Sequence, residues 1–458
     1  MANEPEVTVE VAKQTEGIMA PVRTVGPWRT YDKIKNYAIS QDLMNLGDVF
    51  SCTIPNIGGV HNKYKFTRGD SIKFLISDPD VNSGKPVKKI TGIVVKVKYS
   101  SSMRGGSSVT ITGADLGWHL QHNDGPLWYN LHGATFKQLL NSVVDKSWGF
   151  GYPARGDNEA NRNANLGSAS SSNALVNLNK GLNYGHDGAV LTQMKKDYEA
   201  RKAISGKSSD PPNTGQPPDK DASGKPLAQG IKGAVQTTSP DNFPQILPRI
   251  QIEPGEKIAD VLITYARRVG AIVNVSYDGI LQIFRPKYDQ DIAGVFNYYD
   301  PVYGGDSSVN NVLDASYEED LEHVFTDTFC IGTNPIAYVL KTNNPNEGHW
   351  RGVYKDKTLL PFLHRLTYSD ADQLDPAMSK QRAKWKFQRS LFDAFEYSCT
   401  VVGHSQNGVF YTPDTMYQVH DDVNGINEKL YLRAVMMTHD DNGARSILKL
   451  HRPNLLTG

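Results

Sequence analysis

Cysteine is scarce in this chain. Three occur in 458 residues, Cys52, Cys330 and Cys399, each alone in an apolar, strand-like setting. The number is odd and no CxxC spacing occurs, so neither a disulfide framework nor a cysteine zinc site is indicated. Folding in a reducing cytoplasm fits this usage. Charge excess is missing too, because Lys+Arg and Asp+Glu both total 49. A general binder of nucleic acid or of anionic membrane needs a basic surplus, so both classes are disfavoured. Near-zero net charge favours association instead. No run approaches the ~18 apolar residues of a membrane-spanning helix, so no membrane insertion by this chain is expected. The opening MANEPEVTVEVAKQTEG is acidic and has no apolar core, which excludes a secretory signal there.

Catalytic signatures are also missing. No GxSxG, HExxH or PCxxC occurs. ISGKSS at 204–209 contains Gly-Lys-Ser, but a phosphate loop needs glycine where Arg201 stands. Asp78, Asp80 and Asn82 alternate as calcium-loop ligands do. Ser83 stands in place of the loop glycine and Lys89 in place of the closing glutamate, so the stretch reads as a solvated turn. His119 and His122 have no nearby carboxylate or cysteine to complete a metal set, and they lie in what reads as a strand running into a turn. The acids of EEDLE at 318–322 mark no general acid/base pair. KQRAKWKFQR at 380–389 interleaves cations and aromatics. Lys380, Lys384 and the stem of Arg389 read as the cover of one exposed helix face. No catalytic, cofactor-binding or metal-ligating residue is assigned, and no cofactor is called for.

What the chain has is turns. Forty glycines and twenty-five prolines accompany 39% hydrophobic residues. The length suggests roughly three domains at ~100–200 residues each. After an N-terminal extension at 1–20, residues 21–130 read as a first small β-barrel. VFSCTI, SIKFLIS, ITGIVVKVKYS and SSVTITGAD are short runs rich in Val, Ile, Thr and Phe, separated by DPDVNSG and MRGGS. Residues 131–304 read as an α+β domain. A helix stripe of Phe136, Leu139, Leu140, Val143 and Val144 ends at Gly149. A second stripe, Ile258, Val261, Leu262, Tyr265 and Val269, ends at Gly270 as a C-terminal cap. Asp278-Gly279 then sits between alternating runs, the signature of a type I′ hairpin.

A long polar insertion at 155–248 splits this domain. It is too poor in apolar residues to fold by its own burial. Its one helical stripe is Val190, Met194 and Tyr198, with a Lys195/Glu199 pair. We expect a neighbouring chain to order the insertion, with that stripe as the assembly contact. Residues 305–340 and 397–458 read as a second β-barrel, interrupted by an α/β segment at 341–396. That segment holds a helix with Pro376 in its first turn and Asp375 as N-cap. The closing stretch, 417–453, alternates around two Asn-Gly turns. Leu448 and Leu450 share one face, Ile447 and Lys449 the other.

The whole pattern resembles the baseplate hub proteins of contractile-tailed bacteriophages, especially the Mu-like kind, which are related to the base of the type VI secretion spike. YDKIKNYAISQDLMNLGDVFSCTI is similar to the family's opening strand pair. PGEKIADVLITYARRVGAIVNVSYDGILQIFRP is similar to its helix–hairpin unit, and the stretch from RAKWKFQRSLFDAF to SILKLHRP to its closing helix and barrel. The resemblance covers 25–150 and 250–455; the insertion departs from the family's compact pattern. It implies a mainly β fold with α+β segments, in which α+β domains join two small barrels like tail-tube subunits. It implies a homotrimer presenting six barrels, a structural adaptor between the sixfold tail tube and the threefold spike around the DNA channel. The implied partners are tail tube proteins, the central spike and baseplate wedge proteins, with passing contact to DNA in the lumen. The implied place is the virion tail baseplate, assembled in the host cytoplasm. The resemblance carries over no catalytic residue. The competing readings are a tail-associated cell-wall hydrolase, which needs paired carboxylates or a metal set, and a carbohydrate-binding tail module, which needs exposed aromatic platforms.

Overall fold

A computed structural model of the chain describes residues 5–15, 24–25, 27–56, 65–102, 106–125, 130–135, 139, 246–253, 255–277, 279, 281–300, 307–333, 349–370 and 376–455. The first strands are β1 (Glu6–Ala12), β2 (Gln14–Thr15), β3 (Thr24–Val25), β4 (Arg29–Tyr31), β5 (Asn36–Asp42), β6 (Val49–Pro55), β7 (Ser71–Ser77), β8 (Val87–Ser102) and β9 (Gly106–Asp115). Then come helix α1 (Gly117–His122), β10 (Asn130–Thr135), β11 (Ile246–Gln251), α2 (Ile258–Val269), β12 (Ile272–Val275), β13 (Leu281–Phe284), β14 (Ile292–Tyr298) and β15 (Val312–Glu319). Next are β16 (Asp327–Thr333), β17 (His349–Lys355), β18 (Arg365–Asp370), α3 (Pro376–Asp393) and β19 (Phe395–Val402). The chain closes with β20 (Ser405–Gln406), β21 (Val409–Phe410), β22 (Thr415–Asp421), β23 (Ile426–Asp440) and β24 (Gly443–His451).

The protein is mainly β, with large antiparallel sheets. A 13-stranded sheet runs β15-β19-β24-β23-β5-β6-β9-β8-β7-β1-β4, with β22 on β23 and β14 on β22. It divides at the β23–β5 pairing. The first half reads β5-β6-β9-β8-β7-β1 and the second β15-β19-β24-β23-β22-β14. The two orders correspond strand for strand, and so do the positions along the chain. They differ at the last pair: β1 meets β7 antiparallel, whereas β14 meets β22 parallel. In the second half β14 and β15 come together at Asn311. Its backbone N–H donates to Asn297 O at 3.2 Å. Its side chain accepts from Asn297 N–H at 2.8 Å and donates to Val295 O at 2.7 Å. An asparagine thus stands in for ladder rungs and brings the half toward closure.

Alternation explains these strands. In β7, Ile72, Phe74 and Ile76 are all 0% exposed while Lys73 and Leu75 face outward. The closing strands behave likewise: Leu448 and Leu450 are buried, and Ile447 is 36% exposed. Inward residues of both halves join one core, from Val9, Phe50 and Phe74 to Tyr397, Val419 and Leu450.

Several boundaries move. The N-terminal extension contains β1, whose Val7, Val9 and Val11 are buried. β14 lies within the stretch read as the α+β domain, yet it belongs to the second half. β16 lies in the stretch read as the second barrel, yet it pairs with β17 and β18 in a separate sheet under α3. The interruption therefore begins before β16. Gly352 on β17 lets α3 approach closely, since a side chain there would run into the Ser379 backbone. On α3, Arg382 is buried and ion-paired with Asp370, so the basic stretch is more than an exposed cover.

The α2 stripe packs as expected: Ile258, Val261, Leu262, Tyr265 and Val269 are all buried. Gly270 caps the helix at φ 69°, in the left-handed region, and Trp385 fills the space a side chain would need. The following hairpin forms, but Val275 pairs with Leu281 across a loop longer than a type I′ turn. Gly279, at φ 79°, donates to Ser276 O within that loop. Leu139 is helical and buried beside α2; the rest of its stripe lies outside the described residues. The insertion's flanks, β10 and β11, pair antiparallel, while Val190, Met194 and Tyr198 lie outside the described residues.

Candidate functional site

The β23–β5 seam is where the two halves meet. β23 serves both. Its Ile426–Leu432 stretch pairs with β22, and its Ala434–His439 stretch pairs with β5. A bulge between Leu432 and Ala434 separates the two stretches. On the core face Val435 and Met437 meet Gln41 and Ile39, and Tyr37 stacks on His439 at 5.6 Å. At the other end Arg433 meets Asp42 at 3.3 Å.

A buried polar chain fastens the seam. The Ser446 hydroxyl donates to Gly403 O at 2.7 Å. Its one proton is thereby used, so His404 Nδ1–H donates to Ser446 Oγ at 2.9 Å. His404 Nε2 then accepts from the Tyr37 hydroxyl at 2.7 Å. Burial, then the nearby Lys89 ammonium, lowers the His404 imidazole to about 4, so it is neutral at pH 7. This polarity is opposite to that of a serine nucleophile, whose proton the histidine must take. His404 and Ser446 are both 0% exposed, so no substrate reaches them.

Asp78 belongs to the same seam, which corrects its reading as a solvated turn residue. It is 5% exposed. Its Oδ2 accepts from Ser405 at 2.6 Å, across the halves, and its Oδ1 accepts from Asp80 N–H at 3.0 Å. Lys89 is buried with its ammonium 3.9 Å from the Phe410 ring centroid. Burial lowers Lys89 to about 7, opposed by the nearby Asp78.

Other candidate chemistry resolves into structure. Asp48 and Asp115 are buried neighbours, both raised by burial, Asp115 to about 7. They organise the turn before α1: Asp48 accepts from Gln41 Nε2 at 2.9 Å and Asp115 from Gly117 N–H at 2.8 Å. His119 and His122 sit on α1, a helix rather than a strand, and His122 stacks on Trp118 at 4.2 Å. Asp421, at the first charged turn of the closing stretch, accepts from Tyr397 at 2.9 Å and from Asn424 N–H at 2.9 Å. Among the described residues no group of three or more His, Cys, Asp or Glu could hold a metal ion. A cavity of about 340 Å³ between α2 and α3 is lined by Arg267, Arg268 and Lys386 beside Asp370 and Asp393. Among the described residues, no helix is long and apolar enough to cross a membrane.

The seam matters because each half carries the same parts. β8 and β9 have a bulge between Val94 and Lys96, then pair from Lys96↔Thr112 to Ser102↔Gly106. β23 and β24 have theirs between Leu432 and Ala434, then pair from Ala434↔Lys449 to Asp440↔Gly443. The matching rungs of the neighbouring strands set Phe50-Ser51-Cys52-Thr53 on Tyr397-Ser398-Cys399-Thr400. Two of the cysteines are therefore the same position in two copies of one motif. The FSCTI and YSCTV words were visible in the sequence, but only the shared register gives so short a match meaning.

No family model matches the chain, and no curated protein matches it in sequence. Solved structures do match it. A tail protein from Neisseria meningitidis MC58 superposes with a TM-score of 0.60 at 17% identity, covering 99% of this chain and 98% of that one. The 43 kDa tail protein of prophage MuSo2 from Shewanella oneidensis gives 0.56 at 16% identity, covering 98% and 99%. Such identities speak for architecture alone: over nearly its whole length, this chain has the fold of these tail proteins.

Proposed function

We propose that this chain is a structural hub subunit of a phage tail baseplate. Three copies form a ring of six similar β halves, a homotrimeric adaptor between the sixfold tail tube and the threefold spike. The observation that carries the reading is the internal repeat. One chain holds two halves with the same strand order, the same bulge and the same Ser-Cys-Thr rung. A chain built of two like units meets a sixfold neighbour when three copies close, while remaining threefold toward a spike. The tail-protein fold of the neighbours supports the same setting. Its partners are tube proteins, the spike and baseplate wedge proteins, with DNA passing through the lumen. It works in the virion tail after assembly in the host cytoplasm. The role is mechanical rather than catalytic, consistent with the reversed polarity of the Ser446–His404 pair. Light scattering with electron microscopy of the purified chain tests this. The expected result is a mass of three chains and rings with six lobes; a monomer at every concentration overturns it.

A further inference from the structure

The internal repeat predicts its own continuation. Inside the chain, the far half of β23 pairs with β5. The counterpart of β23 is β8, and the counterpart of β5 is β15. Carrying the shared register across places Ala434 on Lys96 and Met436 on Lys98, and it places Asp42 on Asp320 and Ser40 on Glu318. Within one chain these two counterparts do not meet. The far half of β8 pairs with β9 alone among the described strands, and β15 with β19 alone.

We infer that β15 of one copy pairs antiparallel with the far half of β8 of a second copy, repeating the internal seam between chains. This rests on the ring proposed above and names the contact that builds it. The register follows from the seam: Lys96 opposite Asp320, Lys98 opposite Glu318, Tyr99 opposite Tyr317, Ser100 opposite Ser316. Charge agrees with it, since both lysines of one edge face acids of the other. Opposite charges directly across a strand pair favour it, and like charges oppose it. Burial agrees as well. In the seam the core-face positions Met437 and Ile39 are each 0% exposed, whereas their counterparts Tyr99 and Tyr317 are each 43% exposed. Pairing gives these tyrosines the cover that the seam gives Met437 and Ile39. Tyr99 keeps its hydroxyl bond to Phe66 O at 3.2 Å, and Glu319 keeps Arg452 at 3.0 Å. Asp320 is already held by His323, so Lys98–Glu318 is the pair that selects partners. The two edges differ, so the contact is heterologous, the kind that yields rings when its rotation closes. The EEDLE acids thereby gain a role: they are one side of an interface.

The test uses the full chain. Lys98→Glu alone and Glu318→Lys alone should each raise the concentration needed for assembly at least ~10-fold, and the two together should restore it. Separately, Ser100→Cys with Ser316→Cys should cross-link copies on oxidation, and neither single variant should. Thermal melts of each variant show that it is folded. Trimers that ignore the charge reversals and do not cross-link would overturn this pairing and leave the ring standing. A wild-type chain that stays monomeric would overturn both.

Discussion

Asp78 sits on a turn, yet its carboxylate is spent on Ser405 of the opposite half. Sequence patterning shows the turn and not the far side of the seam, so the buried role was illegible there. Asp78→Ala leaves Ser405 without its acceptor and the buried Lys89 without a nearby opposing charge. It should cost about 2 kcal/mol, in the range for lost hydrogen bonds to charged groups. A urea melt reads this, and a change under ~0.5 kcal/mol, usual for surface sites, would contradict it. His404 gives a pH signature. Its folded value lies near 4, below the ordinary 6.5 of the unfolded chain. The unfolded state therefore binds the extra proton, and this contribution is complete above pH 6.5 and lost as pH falls to 4. The upper bound is about 3 kcal/mol. Comparing wild type with His404→Gln between pH 7 and 4 isolates it: the wild-type advantage should shrink with acidity, and a constant difference would exclude the linkage. The cysteines give a third check. Burial pushes Cys52 up to about 12 and raises Cys399 and Cys330. In native protein all three should resist a thiol reagent and react on unfolding; rapid native labelling would contradict this.

Elements whose partners are local could be read from the sequence. β7 coincides with the SIKFLIS run, and the α2 stripe with its glycine cap packs as its spacing predicts. β1 was legible too, because Val7, Val9 and Val11 alternate; the neighbouring Glu6 and Glu10 disguised a core strand as an extension. β14 and β16 were not legible. β14 falls within the stretch read as the α+β domain and β16 within the one read as the second barrel, and which sheet each joins depends on partners far along the chain, β22 for one and β17 for the other. Gly352 makes the element-scale prediction. A methyl there would push α3 off its sheet, so Gly352→Ala should destabilise by about 1–3 kcal/mol, the usual cost of overpacking. Hydrogen exchange should localise the loss to β16–β18 and α3. Unchanged protection there would mean the helix does not need the close approach.

At the scale of the whole molecule, β10 and β11 pair antiparallel on either side of the insertion. Replacing 155–245 with a short linker should leave far-ultraviolet circular dichroism and the melting curve of the two halves intact while weakening assembly. Limited proteolysis is the companion measurement. Cutting near Pro211–Pro226 should be fast in monomers and slow in assemblies; equal rates would remove the insertion, with its Val190, Met194 and Tyr198 stripe, from the assembly contact. β23 has a separate mechanical consequence. One continuous strand is rooted in β22 at its start and in β5 at its end. A load directed along β23 that draws the halves apart therefore runs along covalent backbone, and yielding requires the β23–β5 ladder to slide as a whole rather than open rung by rung. Under a load in that direction the joint between the halves works like a rivet in shear.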